Sequence, residues 1–286
     1  SPTNADICTI SCWVKRGNLV EGAILGNYSD VNFRAKFGFD SNHKLEYHQV
    51  NDGGVTCAVT TDRVFRDCSA WYHLVCAVDT TDGTAGDRIK IYVNGTQVDV
   101  TFATNMTQNL DFKLNQASIP LVVGQDGNDA KDFDGYISEL VLIDGQQLAA
   151  TSFGEFDSDS PTIWKPIDVS GLTFGDDGFY LDFEASDNLG NDASGGTDFS
   201  ESNLAATDSA TDTPTNNWCT LNPLTNNNSN YTFAEGNLKA TSAASWIGSL
   251  GTIAMGSGKW YWEVVYGGAN SSFGIGQLNN GATETV

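Results

Sequence analysis

The feature that most constrains this chain is the rhythm of its apolar residues. Short runs alternate apolar and polar, and turn residues separate them. No long stripe repeats at the three- and four-residue spacing of an amphipathic helix. Residues 7–15 put Cys8, Ile10, Cys12 and Val14 on one face, and residues 71–79 do the same with Tyr72, Leu74, Cys76 and Val78. Ile89, Ile91 and Val93 alternate up to Asn94-Gly95, a pair suited to a type I′ hairpin turn, and Val98 and Val100 follow it. Further strands are expected at 119–124, 135–143 and 178–183. Many short strands with turns between them predict an all-β antiparallel sandwich or barrel.

Charge narrows the partners. The 286 residues carry 36 Asp+Glu against 14 Lys+Arg, a formal net charge of −22. Phosphate backbones are held by clustered Lys and Arg, so nucleic acid is excluded as a partner. An anionic membrane surface is disfavoured for the same reason, and no apolar run is long enough for membrane insertion. With 40% hydrophobic residues and 11% aromatics, the chain has the makings of a packed core. It opens at Ser1 without a signal-peptide pattern and closes at Thr285-Val286 without a natural-looking stop, so a processed or partly represented longer protein is expected.

Composition shifts at about residue 184. The stretch to 217 is acidic and rich in Asn, Ser, Thr and Gly. No Lys, Arg or His occurs between Lys165 and Lys239. It reads as a linker or long loop. A second β segment follows, with strands expected near 231–241, 245–248, 259–266 and 272–278.

Four segments, in order, carry a family resemblance: Ser11-Cys-Trp-Val-Lys15, Trp71-Tyr-His-Leu-Val75, Arg88-Ile-Lys-Ile-Tyr-Val-Asn-Gly95 and Phe133-Asp-Gly-Tyr-Ile-Ser-Glu-Leu140. Together they resemble the laminin-G/concanavalin A-like jelly roll, whose closing strand is the last of these motifs. Gly178-Phe-Tyr-Leu-Asp-Phe183, Leu189-Gly190 and Asp212-Thr-Pro-Thr-Asn-Asn217 look like the region after such domains in structural proteins of phages, notably marine ones. Asn222-Pro-Leu224, Gly258-Lys-Trp-Tyr-Trp-Glu-Val264 and Phe273-Gly-Ile-Gly276 resemble the start of a SPRY-type β-sandwich, present for about half its length. The implied architecture is a jelly roll over 1–183, an acidic linker or loop over 184–217 and a partial SPRY-like domain over 218–286. The implied role is a virion-surface, tail-fibre-like component that recognises cell-surface carbohydrate. The alternative is an extracellular filament subunit that self-assembles by strand addition between copies.

Catalysis finds little support. Glucanases of this superfamily carry Glu-x-Asp-x-Glu on one strand, and the motif is missing. Glu139 and Asp144 are five apart, which puts them on opposite strand faces. His43, His48 and His73 lack metalloprotease spacing, and His73 is expected to be half-buried on a strand. Gly256-Ser-Gly-Lys259 lacks the remaining P-loop residues. A non-enzymatic protein is expected. The acidic loop Asp126, Asn128, Asp129, Asp132 and Asp134 offers hard oxygen ligands, and Ca²⁺ is the one cofactor it suggests. Tyr28, Tyr47 and Trp164 are candidate platforms for stacking sugar rings.

Six cysteines stand at 8, 12, 57, 68, 76 and 219. Cys8 and Cys12 on one strand would lie about 13 Å apart, too far to bond. If Asp62-Arg63 centres a hairpin, Cys57 falls opposite Cys68 at disulfide range; a pair of buried thiols is the other reading. Cys12 and Cys76 face the core as thiols or a second bridge. Asn27, Asn94, Asn105, Asn227, Asn230 and Asn270 form N-glycosylation sequons.

Overall fold

A computed structural model of the chain describes residues 1–116, 119–225, 231–242, 248–265, 267, 274, 276–279 and 282–285. It divides into two compact units, Ser1–Trp218 and Cys219–Val286. Among the described residues the first contains fourteen strands: β1 (Ile7–Arg16), β2 (Gly22–Asp30), β3 (Phe33–Phe39), β4 (Leu45–Asn51), β5 (Gly54–Thr61), β6 (Tyr72–Asp79), β7 (Ile89–Val93), β8 (Thr96–Gln97), β9 (Val100–Thr104), β10 (Leu121–Val123), β11 (Gly135–Asp144), β12 (Gly154–Phe156), β13 (Trp164–Pro166) and β14 (Phe179–Leu181).

Two six-stranded antiparallel sheets form the sandwich. Sheet A runs β14-β11-β1-β6-β7-β8, and sheet B runs β10-β2-β3-β4-β5-β9. The all-β expectation holds. The alternation in β1 works as read: Cys8, Ile10, Cys12 and Val14 are fully buried and pack with Leu74, Cys76 and Val78 of β6 and Ile89, Ile91 and Val93 of β7. Sheet B supplies the other half of this core, with Ala35, Phe37, Phe39, Leu45, Tyr47, Cys57 and Val59. Register between β1 and β11 shifts between Ser11 and Trp13, a bulge at which Glu139 takes φ +51°.

The hairpin expected at Asp62-Arg63 does not form. β5 ends at Thr61 and pairs with β4 and β9, while β6 crosses to sheet A and pairs with β1 and β7. Cys57 therefore faces Gln49 across β4, and all six cysteines are free thiols. This replaces the Cys57–Cys68 bridge.

Sheet A carries a second apolar layer on its far side. Trp13, Trp71, Val75, Val141 and Ile143 pack there against Ala150, Phe153, Trp164 and Val169. The chain after β11 turns back and covers the centre of this face, so the middle of sheet A is buried on both sides. That is why His73, expected half-buried, has no exposed surface.

Residues 184–217 hold no strand longer than a single bridge, Thr213 to Asn216, and belong to the first unit. Phe199 packs edge-on against Phe179 at 4.8 Å. The second unit contains the hairpins β15 (Tyr231–Ala234)–β16 (Lys239–Ser242) and β17 (Gly276–Asn279)–β18 (Ala282–Thr285). Of the strand expected over 259–266, residues 259–265 have none assigned and residue 266 lies outside the described residues. No helix of the described residues is long and apolar enough to cross a membrane.

Candidate functional site

With sheet A covered, the outward face of sheet B is the broad surface left to build a site. Its residues follow from strand alternation. Ala35, Phe37 and Phe39 point into the core, so Arg34 and Lys36 point out; Leu45 and Tyr47 point in, so Glu46 and His48 point out. Register sets Lys36 opposite His48, and His48 opposite Ala58. The Lys36 ammonium is 2.7 Å from both Glu21 Oε1 and Glu46 Oε1, and Lys131 reaches Glu21 Oε2 at 2.6 Å. Side chains here are partly buried, about 20% exposed for Lys36 and 14% for Glu46.

Burial acts on each group, and partners decide the outcome. Burial would lower the Lys36 ammonium, but the two carboxylates outweigh it and hold the group above its ordinary value. Burial would raise Glu21, yet the bonds from Lys131 and Lys36 keep it below the usual carboxylate range. His48 has no such partner: burial, with Lys36 and Arg34 beside it, pushes its imidazole down. At neutral pH the face thus presents a cation, carboxylates and a neutral imidazole in fixed positions. Tyr28 sits at the end of β2, opposite Arg34 of β3.

The covered side of sheet A contains a serine–histidine pair that could be mistaken for a nucleophile and its base. Ser11 Oγ lies 2.9 Å from His73 Nε2, and Trp164 Nε1 donates to His73 Nδ1 at 2.9 Å. An indole N–H can only donate, so Nδ1 is the acceptor and Nε2 carries the ring proton. That tautomer donates to Ser11 and cannot take its proton. Burial pushes His73 down to about 3, so it stays neutral. Glu139 is also held: Tyr180 donates its hydroxyl to Oε2. Burial pushes Glu139 up against that bond, with Asp182, Glu184 and Asp168 adding to the rise. Asp144 accepts from the backbone N–H groups of Thr3 and Asn4 and from Asn115, and pins the N-terminal segment.

Residues 2–150 match the concanavalin A-like lectin/glucanases superfamily. The chain belongs to this superfamily. Among solved structures it is similar to a heptameric SAP-like pentraxin from Limulus polyphemus (16% identity, covering 50% of this chain and 66% of that one, TM-score 0.38). It is also similar to domain 4 of an extracellular arabinanase from Geobacillus stearothermophilus in complex with arabinotriose (19%, 50% and 63%, TM-score 0.35). A third is the CBM40 of the Ruminococcus gnavus IT-sialidase (12%, 51% and 80%, TM-score 0.40). The chain spans less than two thirds of the first two. No curated protein sequence matches it.

The superfamily's jelly roll redistributes the residues singled out from sequence. Tyr47 is fully buried, stacked on Phe112 at 4.6 Å and bonded to Gln49, so it is no sugar platform. Trp164 is held by His73 and Phe156 and is 9% exposed. Tyr28 alone of the three remains partly exposed. The acidic loop does not converge on a cation: Asp126 caps the Asn128 N–H, Asp132 accepts from Gln125, and Asp134 accepts from Asn18 at 2.6 Å. Asp129 takes φ +49° in the turn. No cluster of three or more His, Cys, Asp or Glu suited to a metal occurs among the described residues. Asn27 is buried and donates to the Lys113 carbonyl, so its sequon is closed to glycosylation; Asn94 is half-buried in its turn, and Asn105 is exposed. Asn227, Asn230 and Asn270 lie outside the described residues. Lys36, Glu46 and Arg34 were not among the candidates. Their signal was the clean alternation of Phe33–Phe39, which reads locally as an ordinary solvated strand face.

Proposed function

We propose that this chain is a non-catalytic carbohydrate-binding protein of a virion or other extracellular surface, gripping glycan on the outward face of sheet B. One observation carries the reading. The chain after β11 buries the opposite sheet face, while β3 and β4 keep a half-buried row of Arg34, Lys36, Glu46 and His48 open. Sugar hydroxyls need donors and acceptors fixed at short range, and this row supplies both beside Tyr28. Superfamily membership supports glycan as the ligand class. The tail-fibre setting rests on the resemblance of 178–217 and 258–276 to phage structural proteins. The non-catalytic reading is supported by the locked Ser11–His73 pair and by Glu139 and Asp144 on opposite faces of β11.

The test is a glycan array with the full chain, beside a variant carrying Glu46→Gln and His48→Ala. The reading expects binding that the variant loses with an unchanged melting temperature, and no release of reducing ends from the bound glycan. Equal binding by the variant would move the site elsewhere. Bond cleavage would make the protein an enzyme.

A second reading, a self-assembling filament subunit, has one observation in its favour. Trp260, Tyr261 and Val265 are 52%, 82% and 98% exposed along a segment with strand-like alternation and no strand pairing. Regular filaments in negative-stain micrographs would support it, and a monodisperse monomer by light scattering would end it.

A further inference from the structure

Lys15 is the least expected residue in the fold. Its ammonium is 1% exposed at the end of β1, where charge is costly unless fully partnered. Three acceptors meet it: Asp212 Oδ2 at 2.7 Å, Asn217 Oδ1 at 2.8 Å and the Trp218 carbonyl at 2.7 Å. All three come from one short segment at the end of the first unit. Its local geometry explains why. Thr213 and Asn216 exchange backbone hydrogen bonds around Pro214-Thr215, a tight turn with proline at its second position. Residues 212 and 217 are the next pair out across this turn. Side chains one step beyond a bridge share a face, so a carboxylate and an amide land together on one amine. The Trp71 indole donates to Asp212 Oδ1 at 2.8 Å, Asn217 Nδ2 donates to the Ser69 carbonyl at 2.7 Å, and the Tyr136 ring centroid lies 5.8 Å from the Lys15 nitrogen.

We infer that Lys15 and Asn217 form an intramolecular isopeptide bond, with Asp212 as the proton carrier. The buried Lys15 ammonium passes one proton to the buried Asp212 carboxylate, leaving a neutral amine against the exposed Asn217 amide. The amine lone pair attacks Asn217 Cγ, and the tetrahedral adduct expels the amide nitrogen. Asp212 returns its proton to that nitrogen, which leaves as ammonia with the electron pair of the C–N bond, and the regenerated carboxylate then takes the surplus proton from Nζ, leaving a neutral amide. The Nζ–Cγ bond forms, the Cγ–Nδ2 bond breaks, and no oxidant or outside reactant is consumed. The bond would join the first long strand to the last residues of the first unit, closing a loop that spans 202 positions of sequence. A cross-link over so long a loop constrains the unfolded chain strongly and resists pulling from outside. That suits a protein at an exposed surface, although the inference does not depend on glycan binding.

The decisive experiment is the intact mass of the wild-type full chain, followed by proteolysis and tandem mass spectrometry. The inference expects a mass lower than the sequence mass by one ammonia, no tryptic cleavage after Lys15, and a branched peptide joining Lys15 to Asn217. Asp212→Ala should retain the full sequence mass, and Asn217→Ala should retain its own. An intact mass equal to the sequence, with Lys15 and Asn217 in separate linear peptides, would overturn it. So would loss of one water with Lys15 joined to Asp212, or loss of ammonia at Asn217 with Lys15 free. The wild-type reading decides the matter whether or not the variants fold, and it is independent of any glycan assay.

Discussion

His73 shows how a single side chain takes its character from its neighbours. Its folded value of about 3 lies below the roughly 6.5 of an unfolded histidine. Between those values the unfolded chain holds the extra proton, so stability falls as pH drops from about 6.5 toward 3. The slope from this residue is about 1.4 kcal/mol per pH unit, and above 6.5 it contributes none. Histidine NMR should show the His73 ring neutral and protonated on Nε2 at pH 5; a titration midpoint near 6.5 would contradict the buried Trp164 bond. The thiols give a second prediction at this scale. Burial raises Cys8, Cys12 and Cys76 and pushes Cys57 up to about 12, while Cys219 is exposed. In native protein a thiol reagent should label Cys219 quickly and those four only after unfolding. A total below six in denatured, unreduced protein would show that a bridge exists after all.

The Asn94-Gly95 turn between β7 and β8 is more than a connection. Asn94 takes φ +48° and Gly95 φ +80°, as a type I′ turn requires, and Asn94 Oδ1 accepts from the His73 N–H. A Cβ on Gly95 would lie 2.5 Å from the Trp164 ring. Gly95→Ala should therefore cost about 1–3 kcal/mol, through both the positive φ and the displaced indole. A denaturant midpoint equal to wild type would show that Trp164 moves freely. The elements differ in how plainly the sequence announces them. β1, β6 and β7 are legible because apolar residues alternate without interruption. β2 is obscured by Gly22, Gly26 and a buried Asn27, which carry no apolar signal. The false hairpin at Asp62-Arg63 arose because β5 pairs with β9, about forty positions onward, and nothing local encodes so distant a partner. The site was less legible than the fold for a related reason. Tyr47 is inward by the same alternation that makes Lys36 outward, but Trp164 is withdrawn by a histidine 91 positions away.

At the scale of the whole molecule, the first unit is a sandwich with a third layer built from its own later residues. Trp71, Val75 and Ile143 need that layer, and so does Lys15. A chain ending at Trp218 should melt as the first unit does in the full protein. One ending at Phe183 should melt several degrees lower, having lost Phe199 and Asp212 with the rest of 184–218; equal melting by calorimetry would show that the segment only decorates the sandwich. The same layer assigns the two sheet faces their parts, one closed by the chain and one open to ligand. The most direct measurement of that division is chemical-shift mapping of the full chain titrated with a glycan selected on an array. The account predicts that the perturbed amides cluster on β3 and β4, around Lys36, Glu46 and His48. Shifts centred on β11, β12 and β13, with β3 and β4 silent, would contradict it.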